Sequence, residues 1–197
     1  MPRLFVALEI AHQASASMAL LRGGLSGAKW IDPENYHLTL RFLGDLEGPM
    51  ADEIADALYT INQPRFALSF VGLGAFGGKK PRSLFAVPQH NQTLYDLQSD
   101  IDRRCKRLGL GADKRKFTPH VTLARLRGTP PSAVANYIGL RGGFSTPAHM
   151  TTRFVLLSSR DSVGGGPYIR EEVYGLRGPS PVSSLATNAS EAERMSW

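Results

Sequence analysis

The sequence predicts an α+β fold in which most strands are antiparallel. Short segments rich in β-branched, aromatic and aliphatic residues alternate with segments whose apolar residues recur every three or four positions. The 197 residues are 42% hydrophobic and 20% charged, a composition typical of one substantial globular domain or of two small lobes. The order strand, helix, strand, glycine-rich loop, strand also occurs twice, over 37–87 and 120–176, which predicts two similar halves.

The first half of the chain shows a local signal for each element. Strands are predicted over 4–10, 36–43, 66–71 and 83–87, and helices over 13–21 and 49–61. Pro49 suits the first turn of its helix, in which Ile54 and Leu58 then lie on one face. Residues 72–82 are predicted to form a loop, because Gly-Gly-Lys-Lys at its centre permits close backbone approach and supplies charge.

The second half follows the same logic. Residues 92–108 predict a long packing helix whose apolar side includes the single cysteine, Cys105, which we expect to be buried rather than nucleophilic. A strand over 121–126 and a helix over 132–140 come next, followed by strands over 153–158 and 168–176 on either side of three consecutive glycines.

Two copies of the pattern His-x-Thr-apolar dominate the functional interpretation. His37 and Thr39 lie in one predicted strand, and His120 directly precedes the other, which contains Thr122. Because side chains alternate along a strand, each histidine shares a face with the threonine two residues later, while the intervening residue packs behind. Facing one another, the two strands would place two proton-transfer groups and two neutral donors around one small anion.

These motifs resemble the two signatures of the two-histidine phosphoesterase superfamily. The sequences Asn-Tyr-His-Leu-Thr-Leu-Arg-Phe-Leu-Gly at 35–44 and Phe-Thr-Pro-His-Val-Thr-Leu-Ala-Arg at 117–125 are most similar to those of RNA 2′,3′-cyclic phosphodiesterases, formerly described as 2′-5′ RNA ligases. The opening Arg-Leu-Phe-Val-Ala and the late Tyr168 extend the similarity over about 2–176. The resemblance implies a bilobed fold in which two pseudo-symmetric, mainly antiparallel sheets form a central cleft with helices packed outside.

The resemblance also implies a reaction and residue roles. A 2′,3′-cyclic phosphate needs an activated water, a protonated leaving oxygen and stabilised non-bridging oxygens, and histidine titrates in the required range. By resemblance, His37 is the general acid for the 3′ oxygen and His120 the general base for water, which gives a 2′-phosphate. The direction stays open, because in the reverse reaction, ligation through a 2′-5′ bond, the roles exchange. Thr39 and Thr122 are expected to donate to phosphate oxygens.

Three further residues are weighed as ligands. Phe117 is a candidate to stack on a nucleobase, with core packing as its alternative. Arg41 continues the face of His37 and Thr39, whereas Arg125 points to the opposite side of a regular strand. The family pattern carries an arginine at the position of Arg125, so we expect this strand to end or bulge after Leu123, or Arg125 to act at the cleft edge.

Charge and motif content narrow the partners. With 23 Lys and Arg against 17 Asp and Glu, the formal charge is +6, which favours polyanions, here RNA ends that carry a cyclic phosphate. No His-x-x-x-His pair, paired cysteine or Asp-rich loop occurs, so we expect no metal and no other cofactor. The absence of a signal peptide, a membrane span and a second cysteine favours a cytoplasmic location. We also expect a monomer without an obligate protein partner, although no residue pattern specifies the oligomeric state.

Residues 1–177 are expected to form a single domain, and the Ser-, Ala- and Pro-rich residues 178–197 a flexible tail. Two other functions stay open beside the proposed hydrolase. One is a nucleotide- or RNA-binding module of the same fold without turnover, and the other is a two-histidine phosphodiesterase with another small nucleotide as its substrate.

Overall fold

The computed structural model describes residues 3–111, 116–159 and 166–178. Ten strands and four α-helices lie within these ranges. They are β1 (Arg3–Glu9), α1 (His12–Ala19), β2 (Ala28–Trp30), β3 (His37–Asp45), α2 (Gly48–Tyr59), β4 (Phe66–Leu68), β5 (Phe70–Phe76), β6 (Ser83–Pro88), α3 (Gln92–Arg107), β7 (Val121–Leu126), α4 (Pro131–Gly139), β8 (His149–Thr151), β9 (Arg153–Ser159) and β10 (Ile169–Gly175). A short 3₁₀ helix, Pro33–Asn35, precedes β3.

Antiparallel pairing joins these strands, which confirms the predicted α+β class. Eight strands form one sheet in the order β10-β9-β1-β3-β7-β6-β5, with β2 also paired to β7. A separate two-stranded sheet consists of β4 and β8. No helix in the described ranges is long and apolar enough to cross a membrane.

The two sheets implied by the family resemblance are the two halves of this eight-stranded sheet. They meet at β3 and β7, whose register consists of the single pair Leu38 and Val121. Each motif strand is bordered on its outer side by a strand from another part of the chain, β3 by β1 and β7 by β6. The two copies of the repeat are therefore interleaved in the sheet, because β6 of the first copy pairs with β7, which carries the second motif.

One face of the sheet carries the main core. Leu38 and Val121 are fully buried there, with side chains of α1, α2 and α3 packed against the same cluster. Removing each such side chain from water stabilises the fold by about 1.5–3 kcal/mol. As predicted, α3 is a packing helix, and Cys105 is buried on its apolar side. With the apolar residues of both motifs buried, their histidines and threonines are left on the opposite face.

Two predictions about the region 66–82 were wrong. The predicted strand 66–71 is two strands in different sheets, since β4 pairs with β8 and β5 pairs with β6. The predicted loop 72–82 begins later, because β5 continues to Phe76. Gly74 is suited to this strand because the ring of Phe85 lies 2.5 Å from where a Cβ atom would be. Glycines weaken the strand signal in the sequence, and Gly74 occurs here because the Phe85 ring of the neighbouring strand leaves no room for a side chain.

Two strands were missed altogether, β2 and β8. Each has three residues, too few to display alternation. Of the predicted tail, residues 179–197 lie outside the described ranges, as do Gly164 and Gly165 of the predicted glycine turn.

Candidate active site

The register of the central strands brings the four motif side chains together. Because Leu38 lies opposite Val121, the same antiparallel register sets His37 opposite Thr122 and Thr39 opposite His120. All four side chains are half-buried, whereas the residues between them are fully buried on the other face. The predicted arrangement of two imidazoles and two hydroxyls on one face is therefore present.

Each imidazole is oriented by the backbone two residues before it. His37 Nδ1 lies 2.9 Å from the carbonyl oxygen of Asn35, and His120 Nδ1 lies 2.7 Å from that of Thr118. A carbonyl oxygen only accepts, so Nδ1 carries a proton in both rings. In the neutral ring Nε2 is then the basic atom, and in the charged ring it is an acid. Both histidines are thus prepared for proton transfer through Nε2.

Two aromatic rings flank each histidine. Around His37 the ring centroids of Phe5 and Tyr168 lie at 5.1 Å and 4.9 Å. Around His120 those of Phe85 and Phe76 lie at 5.2 Å and 4.9 Å. Rings at these distances restrict imidazole rotation and displace water from its faces.

Sequence reasoning did not assign this contact role to Phe5, Phe76 or Phe85. They come from strands far from the motifs along the chain, and only the sheet topology brings them to the histidines. Phe5 lies in the opening segment that carries part of the family resemblance, which was the one available signal.

Burial lowers the pKa of His37 below its usual range, and the charge of nearby His120 lowers this pKa further. The hydrogen bond to Asn35 opposes both effects without cancelling them. In the unliganded chain, His37 is consequently neutral over a wider range of pH than a solvent-exposed histidine.

A β-bulge resolves the difficulty over Arg125. The pairing of β7 with β6 steps from Thr122 opposite Phe85 to Ala124 opposite Leu84, so Leu123 is the extra residue. Leu123 and Ala124 are both buried, and Arg125 is exposed again. The bulge returns Arg125 to the face of Thr122, as one of the sequence alternatives required.

A corresponding bulge in β3 shows that the predicted orientation of Arg41 was wrong. The pairing with β1 steps from Thr39 to Arg41 and leaves Leu40 as the extra residue. Arg41 is 4% exposed, and its Nη1 lies 2.9 Å from Asp102 Oδ1 of α3. A second guanidinium nitrogen donates to the carbonyl oxygen of Gly111. Arg41 thus connects β3 to α3, and Phe42, 54% exposed, takes the place in β3 that Arg125 has in β7.

The larger of two cavities beside the motif strands has a volume of about 720 Å³. Thr39, Phe117 and His120 line it, so three predicted site residues border one space. Its charged walls are cationic, and no carboxylate is among its lining residues. Those cations are Arg41, Arg82 and Lys116, and two further rings are Phe42 and Phe76.

The smaller cavity, about 470 Å³, borders His37 and Tyr168. Its walls include Glu9 and Glu34 beside Arg170, so its charge is mixed. Thr122 and Arg125 line neither of these two cavities. Within 3–111, 116–159 and 166–178, no group of three or more His, Cys, Asp or Glu side chains could hold a metal ion.

A family model described as LigT-like phosphoesterase matches the chain twice, over residues 8–85 and 84–168. Each match contains one His-x-Thr motif, the first that of His37 and the second that of His120.

The chain is also similar to curated proteins named RNA 2′,3′-cyclic phosphodiesterase. It is 37% identical over 102 residues to that of Aeropyrum pernix, which covers 51% of this chain and 58% of the relative. With that of Geobacillus stearothermophilus it shares 30% identity over 128 residues, 61% of this chain and 41% of the relative. With that of Archaeoglobus fulgidus it shares 32% over 133 residues, 66% of this chain and 75% of the relative. The chain thus spans about half the length of the first two relatives.

Solved structures share this fold at low identity. A Thermus thermophilus protein superimposes with a TM-score of 0.75 at 22% identity, over 90% of this chain and 100% of that protein. Escherichia coli LigT in complex with 3′-AMP superimposes with a TM-score of 0.72 at 23% identity, over 89% of this chain and 99% of LigT.

Proposed function

Since this chain belongs to the LigT-like phosphoesterase family, we propose that it hydrolyses RNA 2′,3′-cyclic phosphate ends to 2′-phosphates without a metal ion. The observation that carries this proposal is the pair of histidines at the starts of adjacent strands, each with Nδ1 bound to a carbonyl oxygen, so that Nε2 is the ring atom that can exchange a proton. The names of the curated relatives support the choice of substrate.

In this reaction His120 removes a proton from water, whose oxygen then attacks phosphorus. The bond between phosphorus and the 3′ oxygen breaks, and His37 gives its proton to that oxygen. Thr39 and Thr122 donate hydrogen bonds to the non-bridging oxygens, where charge accumulates. A ribose 5′-hydroxyl in place of water would give a 2′-5′ linkage, which is the ligation that the family resemblance implies.

The larger cavity suits the anionic end of such a substrate. Arg82 and Lys116 attract the phosphate without competition from a lining carboxylate, and Phe117 and the exposed Phe42 offer faces for a base. Arg125, on the face of Thr122 beyond the bulge, is proposed to contact phosphate at the edge of the cleft.

In the unliganded chain the lowered pKa of His37 opposes the acid role, and bound substrate offsets this effect. A neighbouring phosphate anion favours the charged imidazole and thereby raises the pKa of this ring. His37 would then hold its proton in the complex and release it as the 3′ oxygen leaves.

We further propose that residues 1–177 act as one domain. The first described strand, β1, and the last, β10, belong to the same half of the sheet, on either side of β9. An active truncation that ends at residue 177 would support this assignment, and loss of the fold on truncation would contradict it.

The test is turnover of an oligoribonucleotide with a 2′,3′-cyclic phosphate in the presence of EDTA, with the product resolved as 2′- or 3′-phosphate. We expect a 2′-phosphate, and a loss of about 10²- to 10⁴-fold in both His37→Ala and His120→Ala. His90→Ala is the matched control, because His90 is exposed and lines neither cavity beside the motif strands.

Each other outcome contradicts a particular part of the proposal. Dependence on a divalent ion would contradict the metal-free mechanism, and a 3′-phosphate would reverse the orientation of the substrate. RNA binding without turnover would favour the binding module. Turnover of small cyclic nucleotides but not of RNA ends would favour the other phosphodiesterase.

A further inference from the structure

The larger cavity continues from the motif strands to α3. Thr39 and His120 line this cavity at the motif strands, and Gln98 of α3 also lines it. Gln98 also lines an open groove of about 450 Å³ on the outer side of α3. The cavity and this α3 groove therefore share one wall.

The α3 groove carries more positive than negative charge. Its cations are Arg103, Lys106 and Arg107, and its one carboxylate is Asp102. Asp102 is compensated from two sides, by the buried guanidinium of Arg41 at 2.9 Å and by Lys106 Nζ at 2.5 Å, so the net charge of the groove stays positive. Arg107 has no carboxylate within ion-pair distance among the described residues, and Arg103 is exposed, 3.3 Å from Asp100. The groove is thus suited to a chain of negative charges.

The other direction out of the site is less suited to a polyanion. The cavity next to His37 has Glu9 and Glu34 in its walls, and Arg153 and Arg170 are both paired with Glu9. A strand that left the site on that side would meet carboxylates, whereas a strand that left past Gln98 would meet cations.

We propose that the RNA strand preceding the cyclic phosphate leaves the site at Gln98 and lies in the α3 groove, where Arg103, Lys106 and Arg107 contact its phosphates. This inference rests on the proposed function and specifies its substrate as the end of an oligonucleotide. From Gln98 to Arg107 the helix rises by about 14 Å, at 1.5 Å per residue. That length matches about four stacked nucleotides at roughly 3.4 Å each.

The test compares two substrates with the same 2′,3′-cyclic phosphate end, a dinucleotide and a decanucleotide. In the native protein at 0.1 M salt, we expect kcat/KM to be at least about tenfold higher for the decanucleotide, since each phosphate contact contributes about fivefold. In the variant Arg103→Gln, Lys106→Gln, Arg107→Gln this ratio should fall toward one. The slope of log kcat/KM against log salt for the decanucleotide should also fall by about two, at roughly 0.7 per lost contact.

A matched control removes the same charge elsewhere. Arg3, Lys79 and Lys80 are exposed and line neither the larger cavity nor the α3 groove, so their joint replacement by Gln should preserve the ratio. Arg107→Gln alone covers the case in which the triple variant fails to fold, and it should lower the slope by about 0.7.

The outcomes separate this inference from the function on which it rests. Equal kcat/KM for both substrates in the native protein, or an equal fall in the control variant, would contradict the α3 groove and leave the hydrolase in place. No turnover of either substrate would contradict the proposed function itself.

Discussion

Replacement of Arg41 by Gln tests whether this side chain is structural. Its side chain is 3% exposed, and its ion pair with Asp102 joins β3 to α3. Removing one partner of a buried ion pair costs about 3–5 kcal/mol. Asp102 is 19% exposed and has a second partner in Lys106, so part of its charge stays compensated. We therefore expect a loss of about 2–3 kcal/mol, below that range.

Urea denaturation measures this loss as a change in the free energy of unfolding. For a chain of this size, 2–3 kcal/mol corresponds to a fall in Tm of about 4–12 °C. Arg103→Gln is the control, because Arg103 is 58% exposed in its pair with Asp100 and should cost less than about 1 kcal/mol. If Arg41→Gln unfolded within about 0.5 kcal/mol of the native protein, the structural role of Arg41 would be refuted.

Three further predictions concern protonation and packing. Burial and the charge of His120 lower the pKa of His37, the proposed general acid, so the pH profile of kcat/KM for the free enzyme should be bell-shaped with its basic limb below about 6.5. NMR titration should show this pKa rise in His120→Ala, and a flat profile would contradict acid–base catalysis. Burial also lowers the pKa of His149, so the unfolded chain binds more protons than the folded one, and stability is lost as the pH falls below about 6.5. Urea unfolding should show a smaller loss of stability at low pH for His149→Phe than for the native protein, and an equal loss would show that His149 is not its cause. Gly74→Ala places a Cβ atom against Phe85 and should cost about 1–3 kcal/mol, with recovery in the double variant Gly74→Ala, Phe85→Leu; a stable single variant would show that the ring moves away freely.

Long periodic segments could be predicted closely from the sequence. The strand predicted over 121–126 has the observed bounds of β7, and the helix predicted over 92–108 differs from α3 by one residue. Both succeed because their apolar periodicity is set by the burial that stabilises them.

The bulges at Leu40 and Leu123 were harder to predict. The sequence offered a bulge after Leu123 as one of several alternatives, and it gave no sign of the bulge at Leu40. A bulge leaves two consecutive residues buried, and a buried arginine with a partner on α3 is indistinguishable in sequence from an arginine that faces solvent. The side of the sheet on which Arg41 and Arg125 lie could therefore be determined only from the register of the paired strands.

The motif residues of the site could be predicted, and their surroundings could not. His37, Thr39, His120 and Thr122 share one face as alternation requires. Their aromatic neighbours are fixed by the order of strands in the sheet, which no local pattern specifies.

The most direct test of the central claim is a double-mutant cycle on His37 and His120, with cyclic phosphate turnover measured in EDTA. If the two side chains serve one step as acid and base, the variant that lacks both should be about as slow as the slower single variant. Losses that multiply would show independent contributions and contradict the paired mechanism.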